Sequence, residues 1–128
     1  MPAWEDYKKT AKERGALAFE LFVVETTPSA GPEEMQAILP AHLAYQKDME
    51  AAGKLFLAGP LSDSSGDLME GCGLIIYRAS SLQEAKDITD ADPMHTNGVR
   101  TYTIRKWLVN EGSPRLSTSL SSQSVRLS

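Results

Sequence analysis

Apolar positions recur along this chain in two periods, and each period predicts a different kind of element. Over residues 16–25, ALAFELFVVE, Leu17, Phe19, Leu21 and Val23 alternate with Ala18, Glu20, Phe22 and Val24. That pattern predicts a strand with one wholly apolar face and another apolar apart from Glu20. The polar link TTPSAG over residues 26–31 turns the chain, and from Met35 the period lengthens. Met35, Ile38, Leu39, His42, Tyr45, Met49 and Ala52 follow at steps of three and four, which places them on one side of a helix. Pro32-Glu33-Glu34 suits its first turn, where proline loses nothing and acids meet the positive end of the helix dipole, and Gly53 stops it. Residues 55–58 (LFLA) and 72–77 (CGLIIY) predict two short buried strands, the first halted by Gly59-Pro60 because proline offers no amide hydrogen to a ladder. Between them LSDSSGDLMEG is a polar loop, flexible at Ser64-Ser65-Gly66 and suited to a rim or lid. Ser80 or Ser81 can cap the next helix, with Glu84 at capping-box distance from Ser81, and that helix, over 82–91, is expected to bury Leu82, Ala85 and Ile88 or Thr89. Asp92-Pro93-Met94-His95 opens a short turn, and VRTYTIRKWLV over 99–109 is the last strand.

The order is β-α-β-β-α-β, the split βαβ arrangement of a ferredoxin-like α+β fold with a four-stranded antiparallel sheet. The right-handed crossover rule puts both helices on one face of that sheet. Three of the four strands are apolar on both faces, so the helix-free face is expected to need a cover, most simply the sheet of an identical subunit in a homodimer. Residues 1–15 read as an N-terminal extension with a short helix, residues 16–111 as the domain, and the Ser-rich residues 112–128 as a disordered tail.

A chain of 128 residues fits one domain with a real core. Its net charge of −4 and pI near 5.1 argue against a nucleic-acid partner, because phosphate binding needs concentrated Lys and Arg. Lys8, Lys9, Lys12 and Arg14 are interleaved with Glu5, Asp6 and Glu13, the pattern of a solvated helix face. The single cysteine, Cys72, excludes an internal disulfide and any all-cysteine metal site, and in an apolar strand it reads as a small buried hydrophobe. No segment is apolar for long enough to span a bilayer and no secretion signal opens the chain, so no membrane partner and a cytoplasmic location are expected. No glycine-rich phosphate loop and no metal-ligand spacing is present, and hence no cofactor is expected.

Two polar residues stand out beside the predicted core. His42 lies in the middle of an apolar stripe, where an imidazole must find a hydrogen-bond partner. Such histidines are most often core residues bonded to a backbone carbonyl. Asp92 before Pro93 is the ordinary pattern of a helix cap. The functional alternative joins them: a carboxylate on one imidazole nitrogen would set the tautomer and leave the other nitrogen to move a proton. Sequence spacing does not decide between the two readings.

His42 in AHLAYQ, the segment GKLFLAGP, Gly71 and Gly73 before an apolar strand, SLQEAKDITDADP, and the closing YTIRKW together resemble the YCII-related (YciI-like) family, over residues 17–107. The resemblance implies a dimeric α+β barrel with a pocket between sheet and helices, and makes His42 and Asp92 the family's His-Asp pair. It favours an enzyme transferring protons by general acid/base chemistry, an isomerase or an elimination-type lyase, on a small cyclic or aromatic-derived substrate. Tyr45, Ser62 and Asp63 are candidate substrate contacts, with Gly59, Pro60 and Pro93 shaping the pocket. His95, where the family carries an aromatic or apolar residue, reads as an exposed turn histidine or a second pocket group. The alternative from another class is a non-catalytic dimeric module that binds a small ligand or a partner in the same pocket.

Overall fold

The computed structural model describes Met1–Ser128 as two compact units, Glu20–Trp107 and a second made of Met1–Phe19 with Leu108–Ser128. Its elements in chain order are α1 (Trp4–Glu13), β1 (Phe19–Pro28), α2 (Pro32–Ala51), β2 (Leu55–Pro60), β3 (Gly73–Tyr77), α3 (Leu82–Asp90), α4 (Pro93–Thr96), β4 (Arg100–Val109), β5 (Leu116–Ser119) and β6 (Ser124–Leu127).

In Glu20–Trp107 the sheet order is β2-β3-β1-β4, the order of the ferredoxin-like fold. β3 pairs antiparallel with β1, Val24 opposite Ile75 and Thr26 opposite Gly73, and with β2, Ala58 opposite Ile75. β4 also runs against β1: Ser29 N–H donates to Val99 O at 2.9 Å, and the Thr27 and Thr101 hydroxyls meet at 3.2 Å. This register puts Val24, Ile75 and Tyr77 on one face, where Ile88 of α3 completes the buried cluster and Met49, Leu55, Tyr102 and Ile104 pack against it. Both long helices therefore cover the same face, as the crossover rule requires.

The other face carries less exposed apolar surface than its strands suggest. Leu21 and Ile76 are buried within the single chain, and on the β4 side the face is polar, with Thr27, Thr101 and an ion pair of Arg105 and Glu25 at 3.6 Å. Leu57 and Trp107 remain exposed.

Three local departures have physical causes. β1 starts at Phe19 because Ala18 takes a left-handed backbone (φ 50), and it runs on to Pro28 because Thr26 finds a partner in Gly73. β2 continues through Gly59-Pro60, since on an edge strand the missing amide hydrogen of proline costs no ladder bond. Along α2, Met35, Ile38, His42, Tyr45 and Met49 are half-buried, but Leu39 lies off that row and Ala52 lies past the helix end as its C-cap, and both are exposed.

In the second unit, α1 forms as expected and buries Ala11. The Ser-rich tail, expected to be disordered, instead carries the hairpin β5-β6. Leu116 pairs with Leu127 and Thr118 with Val125, cross-strand pairs of the kind that hold a hairpin and that a count dominated by serine hides.

Candidate active site

α2 presents His42 towards the sheet, and the turn after α3 brings Asp92 to meet it. His42 Nδ1 lies 2.8 and 2.9 Å from the two Asp92 carboxylate oxygens. A carboxylate only accepts, so Nδ1–H is the donor and the neutral ring leaves its lone pair on Nε2. Asp92 is fully buried, and His42 keeps 15% of its side-chain surface exposed. The same carboxylate oxygen accepts the Met94 N–H at 2.9 Å, so Asp92 is also the N-cap of α4. Cap and histidine partner are thus one arrangement, and both readings of Asp92 from the sequence hold geometrically. A buried carboxylate needs such partners, since stranding one costs about 3–5 kcal/mol.

The pair lines a cavity of about 600 Å³ set between α2, the helix-covered face of the sheet and α4. Its apolar wall includes Met35, Leu39, Leu43, Ile75 and Met94. Gly59 and Pro60 line it from β2, and Gly71 to Gly73 line it from the start of β3. Two of these glycines sit where a side chain has little or no room. A Cβ on Gly71, at φ +99, would come within 2.9 Å of Pro28, and one on Gly73 would sit 3.2 Å from Gly59 O. Cys72 is half-buried at the cavity wall.

Four residues expected at the pocket are placed otherwise. The Tyr45 hydroxyl donates to Ile88 O at 2.5 Å and ties α2 to α3; burial, then the charge of Asp92, push its pKa up. Ser62 donates to Asp63 O at 2.9 Å. Asp63 turns into its own loop, accepting Ser65 Oγ at 2.7 Å and the backbone N–H groups of Ser65 and Gly66, each at 3.1 Å. The Ser65 hydroxyl is the main cause that holds the Asp63 carboxyl below the usual range. These two residues build the rim loop and do not line the cavity. Pro93 opens α4 beside Asp92 and is likewise not a lining residue.

The cavity also contains His95, one of whose two readings was a second pocket group, and Thr26 and Arg100, which the sequence reading passed over. His95 lines it and is not an exposed turn residue: its Nδ1 donates to Thr89 O at 2.8 Å, and its Nε2 lies 3.1 Å from Thr26 Oγ1. Arg100, the first residue of β4, donates from Nε to Thr26 Oγ1 at 2.9 Å and from Nη2 to Thr26 O at 3.0 Å and to Gly71 O. Burial lowers the pKa of its guanidinium, opposed by the nearby Cys72 and Asp92. A signal for Arg100 was available: alternation along β4 places it on the inward face with Tyr102 and Ile104. No group of three or more His, Cys, Asp or Glu side chains is gathered as a metal site.

Comparison with known proteins agrees with this architecture. The profile of the YCII-related domain matches residues 6–108. Uncharacterized protein YjpA of Bacillus subtilis (strain 168) is 33% identical over 66 residues, spanning 52% of this chain and 71% of that protein. Among solved structures, 5-chloro-2-hydroxyhydroquinone dehydrochlorinase (TftG) from Burkholderia phenoliruptrix AC1100, in complex with 2,5-dihydroxybenzoquinone, is similar at a TM-score of 0.57 and 22% identity. That match covers 68% of this chain and 92% of the other, and at this identity it speaks for a shared fold. A match over residues 6–108, on a βαββαβ sheet with a cavity beneath its helices, leads to one conclusion: the chain belongs to the YCII-related domain family.

Proposed function

We propose that this protein is a small-molecule enzyme without a cofactor, in which His42 Nε2 moves a proton and Asp92 holds the ring. The observation that carries the reading is the fully buried Asp92 on Nδ1 of a cavity-lining histidine whose Nε2 has no protein partner. Asp92 fixes the tautomer and stabilises the imidazolium formed when Nε2 takes a proton. With an apolar wall to orient a ring, this suffices for isomerisation or elimination. In an elimination the substrate's proton passes to Nε2, its bonding electrons form the new double bond, and the leaving group departs with its own pair. The dehydrochlorination named for the structurally similar enzyme is a reaction of this class, which supports a cyclic, aromatic-derived substrate.

The reading includes a cytoplasmic homodimer. Edge strand β2 and the adjoining face of α2 leave Leu57 and Leu43 more than half exposed, at 52% and 51%, surface that a second copy would cover. No helix is long and apolar enough to cross a membrane. Light scattering at micromolar concentration tests the dimer, and a monomer would count against it.

For the site, long-range proton–nitrogen correlation of the two histidine rings in wild type and Asp92→Asn is the decisive measurement. His42 is expected as the Nδ1–H tautomer in wild type and as a mixture in the variant, with His95 unchanged. Chloride release from 5-chloro-2-hydroxyhydroquinone is a first turnover assay, expected to depend on His42. A His42 ring blind to Asp92→Asn would sink the proposal, and ligand binding without His42-dependent turnover would favour the binding module.

A further inference from the structure

The guanidinium of Arg100 lines the cavity, yet every protein atom it bonds is neutral. Its Nε and Nη2 donors go to Thr26 Oγ1, Thr26 O and Gly71 O. Its Nη1 meets only the Met35 thioether, at 3.6 Å, a weak acceptor that leaves Nη1 with donor capacity no oxygen takes up. The Asp92 carboxylate acts on Arg100 through space but is committed to His42 Nδ1 and Met94 N. No carboxylate lies within ion-pair distance of Arg100, although the group is only partly exposed. A cation partly withdrawn from water and met only by neutral dipoles gains from an anion that joins it.

The surroundings narrow the anion. Thr26 Oγ1 accepts from Arg100 and so directs its own hydrogen to His95 Nε2, whose other nitrogen donates to Thr89 O. The wiring is complete and offers a ligand no further cation. Met35, Leu39 and Met94 line the same cavity and give it an apolar wall suited to a flat ring. A ligand that satisfies both has an apolar ring and one negatively charged oxygen.

We propose that Arg100 is the anion-binding group of this cavity, taking a small ring-bearing carboxylate or phenolate whose oxygen sits on Nη1 within reach of the His42 corner. The binding claim stands on Arg100 alone; that the bound ring presents its proton to His42 rests on the acid/base reading above. In that reading Arg100 also meets the negative charge that grows on the substrate oxygen when Nε2 removes a proton.

The test is calorimetric titration of the full-length protein with benzoate and 4-nitrophenolate, set against their uncharged counterparts benzamide and nitrobenzene. At least one anion is expected to bind about tenfold or more tighter than its neutral partner, as a charge-assisted hydrogen bond to a half-buried guanidinium implies. Which anion is preferred separates a carboxylate from a phenolate ligand. Arg100→Gln should abolish the preference, and His42→Gln should keep it while losing proton transfer, which separates failure of this proposal from failure of the catalytic one. Equal affinity for charged and neutral probes, no binding of either anion, or a preference that survives Arg100→Gln or disappears in His42→Gln overturns the assignment. Because Arg100→Gln strips Gly71 O and Thr26 O of a donor and so threatens the fold, the wild type supplies a second readout. The Arg100 side-chain nitrogen signals should move with the preferred anion and stay fixed with its neutral counterpart; signals indifferent to charge reject the proposal.

Discussion

His42 and His95 line the same cavity, and their rings are wired to opposite effect. Both donate from Nδ1, His42 to a buried carboxylate and His95 to the carbonyl of Thr89. The difference lies at Nε2: that of His95 is taken by the Thr26 hydroxyl, whereas that of His42 faces the cavity with no protein partner. A histidine with both nitrogens engaged is a structural strut, and its tilted contact with Tyr102, ring centres 4.9 Å apart, adds to that role. One nitrogen held by a carboxylate and the other left without a protein partner is the arrangement that the proposed proton transfer requires. Residue type does not separate the two; the number of unclaimed lone pairs does.

The largest expected effect breaks this comparison directly. His42→Gln retains an amide donor for Asp92 but has no basic nitrogen, so turnover should fall by about 10²–10⁴-fold while stability changes by less than about 1 kcal/mol. Alanine is a poorer probe there, because it also strands the buried carboxylate. His95→Ala removes two hydrogen bonds and should cost about 2 kcal/mol in chemical denaturation, with the smaller effect on turnover. Exchanged outcomes for the two histidines would refute their division of labour.

Tyr45 sharpens the same contrast one helical turn from His42. Its hydroxyl serves the α2–α3 joint, so Tyr45→Phe should lower stability by about 1 kcal/mol and leave ligand affinity and turnover near wild type. A large loss of affinity would restore Tyr45 to the pocket.

Alkaline pH probes the tyrosines as a group. Burial raises the pKa of Tyr45 and Tyr77, and burial followed by a 2.6 Å hydrogen bond to Asp90 pushes Tyr102 up to about 12. The folded state therefore binds these protons more tightly than the unfolded state, whose tyrosines titrate near 10. Their contribution is fully present below about pH 10 and is lost as pH rises through the folded values. Denaturation midpoints should decline across that window, more gently in Tyr102→Phe.

The smallest effect belongs to Tyr77, whose fully buried hydroxyl has no hydrogen-bond partner. Tyr77→Phe removes an unsatisfied group and should be neutral or stabilising by up to about 1 kcal/mol. A marked loss of stability would show that the hydroxyl has a partner.

Period and punctuation along the chain were enough for the architecture. Alternation at Leu21–Val24 and Ile75–Tyr77, the row through His42 and Tyr45, the stop at Gly53 and the cap at Ser81 are short-range effects, written in neighbouring residues. The ferredoxin-like order follows because so few connections are sterically open to it. Even the two residues of the proposed site, His42 and Asp92, were visible, His42 as a break in an apolar stripe and Asp92 as a cap before proline. Their meeting was not legible from period or spacing and was implied only by the family resemblance, since 50 residues separate them and only the packing of α2 against α4 joins them. For the same reason Tyr45, Ser62 and Asp63 looked like pocket residues: nearness in sequence to His42 or to Gly59-Pro60 says nothing about where a hydroxyl or carboxylate finds its partner. Arg100 and Thr26 lie 74 residues apart and His95 and Thr26 lie 69 apart, so that network exists only once β4 has docked beside β1. Local periodicity dictates which backbone forms; which lone pairs remain unclaimed is settled by the long-range contacts that claim the others.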